Sequence, residues 1–473
     1  MTNPHDAVII GAGPNGLTAG IALAQAGRRV LILEAAETIG GGCRTEELTL
    51  PGFQHDPCSA IHPLAVASPF LRTLPLASYG LEWIDPPLAA AHPFDDGTAA
   101  VLARSMDETA ASLGADGPAY ERLMRPYIRD FEILVNQLLG PFRLPRHPIA
   151  LARFGLPALG SAKGLAYARF KDERAPALFA GMAAHSMLRL DQLGTAAFGL
   201  MLSLFGHAVG WPIPRGGSQR IVDALAAHFR SLGGEIRTGE PVRSIAEYAK
   251  SDALLFDLTP RQMLQLAGDQ LPGRYRRQLE HYRYGPGVFK MDWALSGPVP
   301  WTAPDCRRAG TIHVGGSFAE VAASERETAE GKHPECPYVL VAQSSLFDST
   351  RAPTGKHTLW AYCHVPSGSE RDMTDQIERQ IERFAPGFRD LIIARSVIGP
   401  AAMQRQNENY IGGDINGGVQ DLRQLFTRPA VRFDPYSTPN KRLFICSSST
   451  PPGGGVHGMS GYHAARSVLR RTG

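Results

Sequence analysis

No two cysteines of this 473-residue chain stand in a Cys-x-x-Cys pair. The six are scattered as Cys43, Cys58, Cys306, Cys336, Cys363 and Cys446, which removes a dithiol relay and a simple zinc site. Thiols so placed in a long chain are expected to be reduced and buried, as in a cytoplasmic protein. Charge of one sign is also scarce: 48 Lys and Arg against 45 Asp and Glu leave a net charge of +3. With no basic block, zinc-finger spacing or aromatic RNA-binding motif, no nucleic-acid partner is expected. No uncharged apolar run reaches the roughly 18 residues that span a bilayer. The N-terminal MTNPHDAVII has no basic segment followed by an apolar one, so no secretory leader is expected. A nucleophile elbow, a paired-carboxylate arrangement, a metal-ligand cluster and a fixed-period repeat are missing too.

Glycine and proline are plentiful instead, at 50 and 37 residues, enough for many turns and close backbone approaches. A 44% hydrophobic fraction at this length suits two large, well-cored domains. The chain opens with an apolar run, Ala7 to Ile10, then a glycine-rich turn, a helical Leu17 to Ala26 and a second apolar run, Arg29 to Leu33. Within the turn, Gly11-Ala12-Gly13-Pro14-Asn15-Gly16 fits Gly-x-Gly-x-x-Gly. In that context the pattern predicts a dinucleotide site. The glycines permit the turn, the approach of a pyrophosphate and close helix packing, and the phosphates sit at the positive end of the helix dipole. Glu34, ending the second strand, is placed to reach the ribose hydroxyls, and its charge would repel the 2′-phosphate of NADP. Gly41-Gly42-Cys43-Arg44-Thr45 follows at once, where a second glycine pair and an arginine suit a backbone passing a pyrophosphate.

The far end of the chain repeats the theme. Pro452-Gly453-Gly454-Gly455-Val456-His457-Gly458 follows a strand at Arg442 to Cys446 and precedes a helix at Ser460 to Leu469. It cannot open a second Rossmann unit, because the sequence ends before another strand. A terminal helix aimed at the same ligand could stabilise negative charge on a reduced isoalloxazine. Between the two ends, helical periodicity dominates from Met106 to Leu204. Strands are expected at 235–238, 242–245, 253–258, 288–295, 338–343 and 357–365, with helices at 218–232 and 373–384.

Asp6 to Glu34, Gly41 to Thr45, Glu240-Pro241-Val242, Asn409 to Gly418 and Leu443 to Ala465 resemble the phytoene-desaturase-like FAD oxidoreductases, nearly end to end. Carotenoid desaturases and isomerases and retinol saturase belong to that group, and amine oxidases are more distant relatives. The resemblance implies an α/β protein. A discontinuous Rossmann-like FAD-binding domain (1–75, 213–270 and 395–473) would carry an inserted, helix-rich α+β substrate domain (76–212 and 271–394). It implies FAD held by Gly11, Gly13, Pro14, Asn15 and Gly16 at the pyrophosphate and by Glu34 at the ribose. Gly42, Arg44 and Thr45 would lie near the phosphates, Val242 at the adenine, and Gly455, Val456, Gly458 and Met459 at the ribityl chain and flavin. One departure is visible: between Ser244 and Ala253 the chain is shorter than the family's usual hairpin.

His457 is the first candidate for a group beside the flavin, as proton donor or anion stabiliser, or else as a turn residue bonded only to backbone. His62 and His55 lie where the family's chain re-enters near the flavin, or are ordinary structural histidines. Tyr410 and Asp414 fall in a polar loop ahead of the flavin-facing end. The stretch from Phe142 to Lys171 mixes Arg143, Arg146, Arg153, Lys163, Arg169 and Lys171 with apolar residues. It is either a peripheral contact with anionic lipid at the inner face of the membrane or a solvated helical face. The expected reaction is hydride transfer from a hydrophobic, isoprenoid- or lipid-like substrate to flavin N5, with oxygen or quinone as acceptor. A redox-neutral double-bond isomerase shares every motif. The GDP-dissociation inhibitors of Rab proteins resemble the fold but bind prenylated partners without FAD.

Overall fold

The computed structural model describes residues 5–472; residues 1–4, part of the segment read above for a leader, and Gly473 lie outside the described residues. In chain order the strands are β1 (Ala7–Ile10), β2 (Val30–Leu33), β3 (Trp83–Ile84), β4 (Leu88–Pro93) and β5 (Ala99–Leu102). They continue with β6 (Ile213–Pro214), β7 (Glu235–Arg237), β8 (Ala253–Phe256), β9 (Gly287–Leu295) and β10 (Ala309–Val314). The last are β11 (Val339–Ala342), β12 (His357–Val365), β13 (Ile392–Ile398) and β14 (Leu443–Ile445).

The runs Ala7–Ile10 and Val30–Leu33 are buried at every position, as strands covered on both faces must be. They pair in parallel from Ala7 opposite Val30 to Ile10 opposite Leu33. Around them forms a five-stranded sheet in the order β14-β8-β1-β2-β7, parallel throughout. Its strands come from three distant stretches of chain, and the switch in strand order beside β1 places a crevice at the strands' carboxyl ends.

A second, seven-stranded sheet runs β13-β9-β12-β11-β10-β4-β5 and is antiparallel except where β10 meets β4. Its register separates two kinds of face. One row, Ile312, Val341, Ala361 and Met291, is apolar and packs under helix Thr374–Phe384 through Ile377 and Ile381. The rows on the other face read Thr311, Ala342, Trp360, Asp292 and His313, Leu340, Tyr362, Lys290. A sheet with polar and aromatic groups on a buried face is built to border a ligand rather than to close a core. Helices from Met106–Ser112 to Thr195–Val209 cover its edge.

Three expectations need correction. Val242 to Ile245 is not a strand: the Ser244 hydroxyl accepts from Ala246 N and starts a 3-10 turn at Ile245–Tyr248, the competition with pairing that such side chains offer. The strand β13 straddles the expected boundary at 394/395 because its partner is β9. Nor are all the cysteines buried: Cys58 is half-buried and Cys336 exposed. Among the described residues no helix is long and apolar enough to cross a membrane.

Candidate active site

The helix Pro14–Gln25 starts at Gly13 with Pro14 at its first position, no side-chain cap from Gly13 and no acid in its first turn. An N-terminus left in that state offers amides and dipole to an anion. Two close approaches fix its surroundings. A Cβ on Gly16 would come within 2.0 Å of the Gly11 carbonyl oxygen, so the turn admits only glycine there. A Cβ on Gly461 would come within 1.8 Å of Asn15 O, so the C-terminal helix Met459–Thr472 crosses the first helix backbone to backbone. The bends at 11–16 and 453–458 therefore lie side by side. One cavity is lined by Gly13, Pro14, Asn15 and Gly42 from one end of the chain and by Gly455 and Val456 from the other.

Other residues expected at the cofactor stand behind that wall. The Glu34 carboxylate accepts from Ala12 N at 2.8 Å and Ala36 N at 3.0 Å, with lone pairs left for ribose hydroxyls. Arg44 lies 3.8 Å from Glu34 and donates to Thr38 O, while its buried Nε has no partner. Thr45 is a correction: its hydroxyl donates to Asp56 at 2.7 Å and accepts from Gln219 N, tying the segment to helix Gln219–Ser231 instead of facing the cavity. Val242 packs on the cluster around Val8 and Ile10 at the outer side of the parallel sheet. Gly458 lies against Thr18, and Met459 is buried in the core at the start of the last helix.

Sequence reasoning missed Asp257. It follows β8 directly, and its carboxylate accepts from Gly16 N at 2.9 Å. Burial pushes its carboxyl up to about 7, against the Gly16 hydrogen bond and with the Glu34 charge. The signal was present in Ala253 to Phe256: a third parallel strand beside β1 must end at the same crevice as the glycine turn.

The histidines divide. His457 is a correction. Its Nδ1 accepts from Met459 N at 3.0 Å and its Nε2 faces Gly453 O at 3.2 Å, so both ring nitrogens are used on the turn itself. Burial pushes the ring down to about 4, so it is neutral and its one N–H, on Nε2, is spent on Gly453 O. His62 does line the cavity. Its Nε2 lies 2.8 Å from Ser218 Oγ, whose own proton goes to Ser59 O, so His62 donates there and keeps a bare Nδ1. Burial holds this ring down to about 4 as well. His55 is bonded to Thr49 away from the cavity. Tyr410 is on the cavity wall, whereas Asp414 organises its loop by accepting from Gly285 N, Asn416 N and Gly418 N.

Beyond the glycine bends the cavity reaches Leu202, Trp211, Leu340, Ala342, Trp360 and Tyr362, the aromatic face of the second sheet and its helices. The space between these walls, open mouth included, is about 1440 Å³. FAD fits the residues present: a helix start with no cap from Gly13, the buried, unpartnered Asn15 Oδ1 beside it, and a cavity running on to the Gly455–Val456 bend.

A family model described as an NAD(P)-binding Rossmann-like domain matches residues 9–73. The chain is 26% identical to pyridine nucleotide-disulfide oxidoreductase domain-containing protein 2 of Rattus norvegicus, over 98% of this chain and 93% of that one. It is 23% identical to a subunit of limonene dehydrogenase from Castellaniella defragrans, over 99% and 95%. Among solved structures, an oxidoreductase from Methanosarcina mazei superposes with a TM-score of 0.68 at 16% identity, covering 98% of this chain and 99% of that one. The fold is Rossmann-like and dinucleotide-binding, and the protein is an oxidoreductase.

Proposed function

We propose that the protein is an FAD-dependent dehydrogenase or desaturase of the phytoene-desaturase-like branch, taking hydride from a hydrophobic, isoprenoid- or lipid-like substrate. The observation that carries this reading is the meeting of the first helix start, at Pro14, and the Gly455–Val456 bend ahead of the last helix at one cavity, which runs on to Leu202, Trp211, Leu340 and Trp360. When bound, FAD supplies the hydride acceptor, N5, and performs the redox chemistry.

The chain's own residues bind, orient and exclude water. Gly13 and Asn15, on the cavity wall, would hold the pyrophosphate, and the Glu34 carboxylate would take the ribose hydroxyls. Gly455 and Val456, ahead of the last helix, would border the flavin end of the cofactor. Leu202, Trp211, Leu340 and Trp360, which line the same cavity, would hold an apolar substrate and exclude water. His62, neutral with a bare Nδ1, can accept a proton but has none to lend through that atom. Similarity to a protein whose name includes limonene dehydrogenase supports an isoprenoid substrate. Exposed Phe142, Leu144, Ile149 and Leu156 among Arg143, Arg146 and Arg153 support peripheral contact with an anionic bilayer, from which such a substrate would come.

The test combines cofactor and product. FAD-loaded protein mixed anaerobically with a panel of isoprenoids and lipids is expected to lose flavin absorbance with one of them. The product should have lost two hydrogens. Gly13→Val protein should not retain FAD. A Gly13→Val protein with normal FAD affinity, or a broad panel that never bleaches the wild type, overturns the reading.

A further inference from the structure

The second-sheet wall of the cavity carries hydrogen-bonding groups that a pure hydrocarbon would leave idle. Among the described residues Asp257 is the one charged side chain on the whole wall, and it stands at the glycine-lined end. At the other end His185, closing helix Arg174–Ala184, and Thr311 of β10 face the cavity. The Thr311 hydroxyl is buried and has no partner.

His185 Nε2 lies 3.1 Å from His313 Nε2, so one ring donates and the other accepts. Their roles follow from the second nitrogen of His313. Its Nδ1 is buried without a partner against Gly181, where a Cβ would come within 2.5 Å. Were His313 the acceptor, its proton would sit on Nδ1 as an orphaned N–H, which folded proteins avoid more strictly than an idle acceptor. His313 therefore donates from Nε2, His185 accepts, and the His185 proton sits on Nδ1. Burial holds His185 down to about 3 and His313 well below its usual value, so the pair is neutral.

We infer that His185, positioned by His313, is the donor that selects a carbonyl, hydroxyl or ether oxygen on an otherwise apolar, uncharged substrate, with Thr311 beside it. The inference rests on the proposed function in taking this chamber as the substrate's, and narrows the substrate from hydrophobic to oxygenated. A cationic amine meets no carboxylate at this end of the described wall, and a hydrocarbon leaves two polar side chains unpaired.

Limonene and carvone share a skeleton and differ only in one ring CH2 replaced by C=O, so they isolate the effect. Equilibrium dialysis of the full-length protein, with and without FAD, is expected to give about tenfold tighter binding of carvone, the yield of one good hydrogen bond. His185→Phe should erase the preference by weakening carvone alone. His313→Phe should reduce it, and His313→Gln, which can still donate, should restore it. Equal wild-type affinities, or a preference that survives His185→Phe, overturn the inference. The wild-type ratio decides even if a variant folds badly. Failure to bind FAD would instead remove the oxidoreductase reading while leaving the ratio measurable.

Discussion

At the N-terminus of the first helix, the Asp257 carboxylate holds the Gly16 amide at 2.9 Å, on ground next to a pyrophosphate's path. Its folded-state pKa rises from 3.8 to about 7, chiefly by burial. Between those values the native protein keeps a proton that the unfolded chain has released. The group's contribution is therefore most favourable below 3.8 and is lost as pH climbs through 7. Asp257→Asn keeps an acceptor for Gly16 N and removes the charge. It should raise the melting temperature, and by more at pH 8 than at pH 5; an equal gain at both would refute the buried-carboxylate account. Glu34 has a double task, since Ala12 N and Ala36 N depend on it. Glu34→Ala should weaken FAD binding by about 1–3 kcal/mol, the cost of losing a charged hydrogen-bond partner, and also lower thermal stability by unpairing the two amides. Calorimetric titration and a thermal melt separate the two losses, and unchanged FAD affinity would remove Glu34 from the ribose.

Helix and strand packing decide whether two remote bends make one site. Gly461 allows the last helix to rest on Asn15 O, and any side chain there must push the helices apart. Gly461→Leu is expected to cost about 1–3 kcal/mol of stability, the usual range for overpacking, and to loosen FAD markedly because both helix starts shift. A folded Gly461→Leu protein with wild-type FAD affinity would show that the crossing does not shape the site. The same scale explains which elements were legible. β1, the first helix and β2 were readable because an apolar run, a glycine turn and an Ala/Leu-rich stretch agree locally. β4 and β5, with Ala89, Ala90, Ala91, Ala99 and Ala100, carry little strand preference of their own and exist because β10 pairs with β4.

At the scale of the whole molecule, the stretch 142–156 exposes apolar side chains among arginines. Phe142 is 79% exposed, Leu144 90%, Ile149 75% and Leu156 73%, and the Phe142 ring meets that of the exposed Phe426 from far along the chain. On the proposed reading, these exposed side chains with arginines between them would rest on anionic lipid. Co-sedimentation with vesicles containing phosphatidylglycerol should exceed that with phosphatidylcholine alone and fall as salt rises. A Phe142→Glu, Leu144→Glu double variant should lose most of it while keeping its melting temperature. Equal binding to both vesicle types, or none, would leave this face without a bilayer partner.

Local patterns alone determined the Rossmann-like start and the glycine bends, because strand, turn and helix signals are written within a few residues of one another. They could not determine which side chains share a space. His457 turned inward to its own turn, Thr45 to Asp56, and Asp257, His185 and His313 emerged as wall or support residues only when β8, β10 and the helix Arg174–Ala184 were brought together. Packing sets those distances: the His457 and Thr45 bonds depend on how their turns sit, and the contacts of Asp257 with Gly16 and of His185 with His313 join groups more than a hundred residues apart, which leaves no local trace in the order of amino acids.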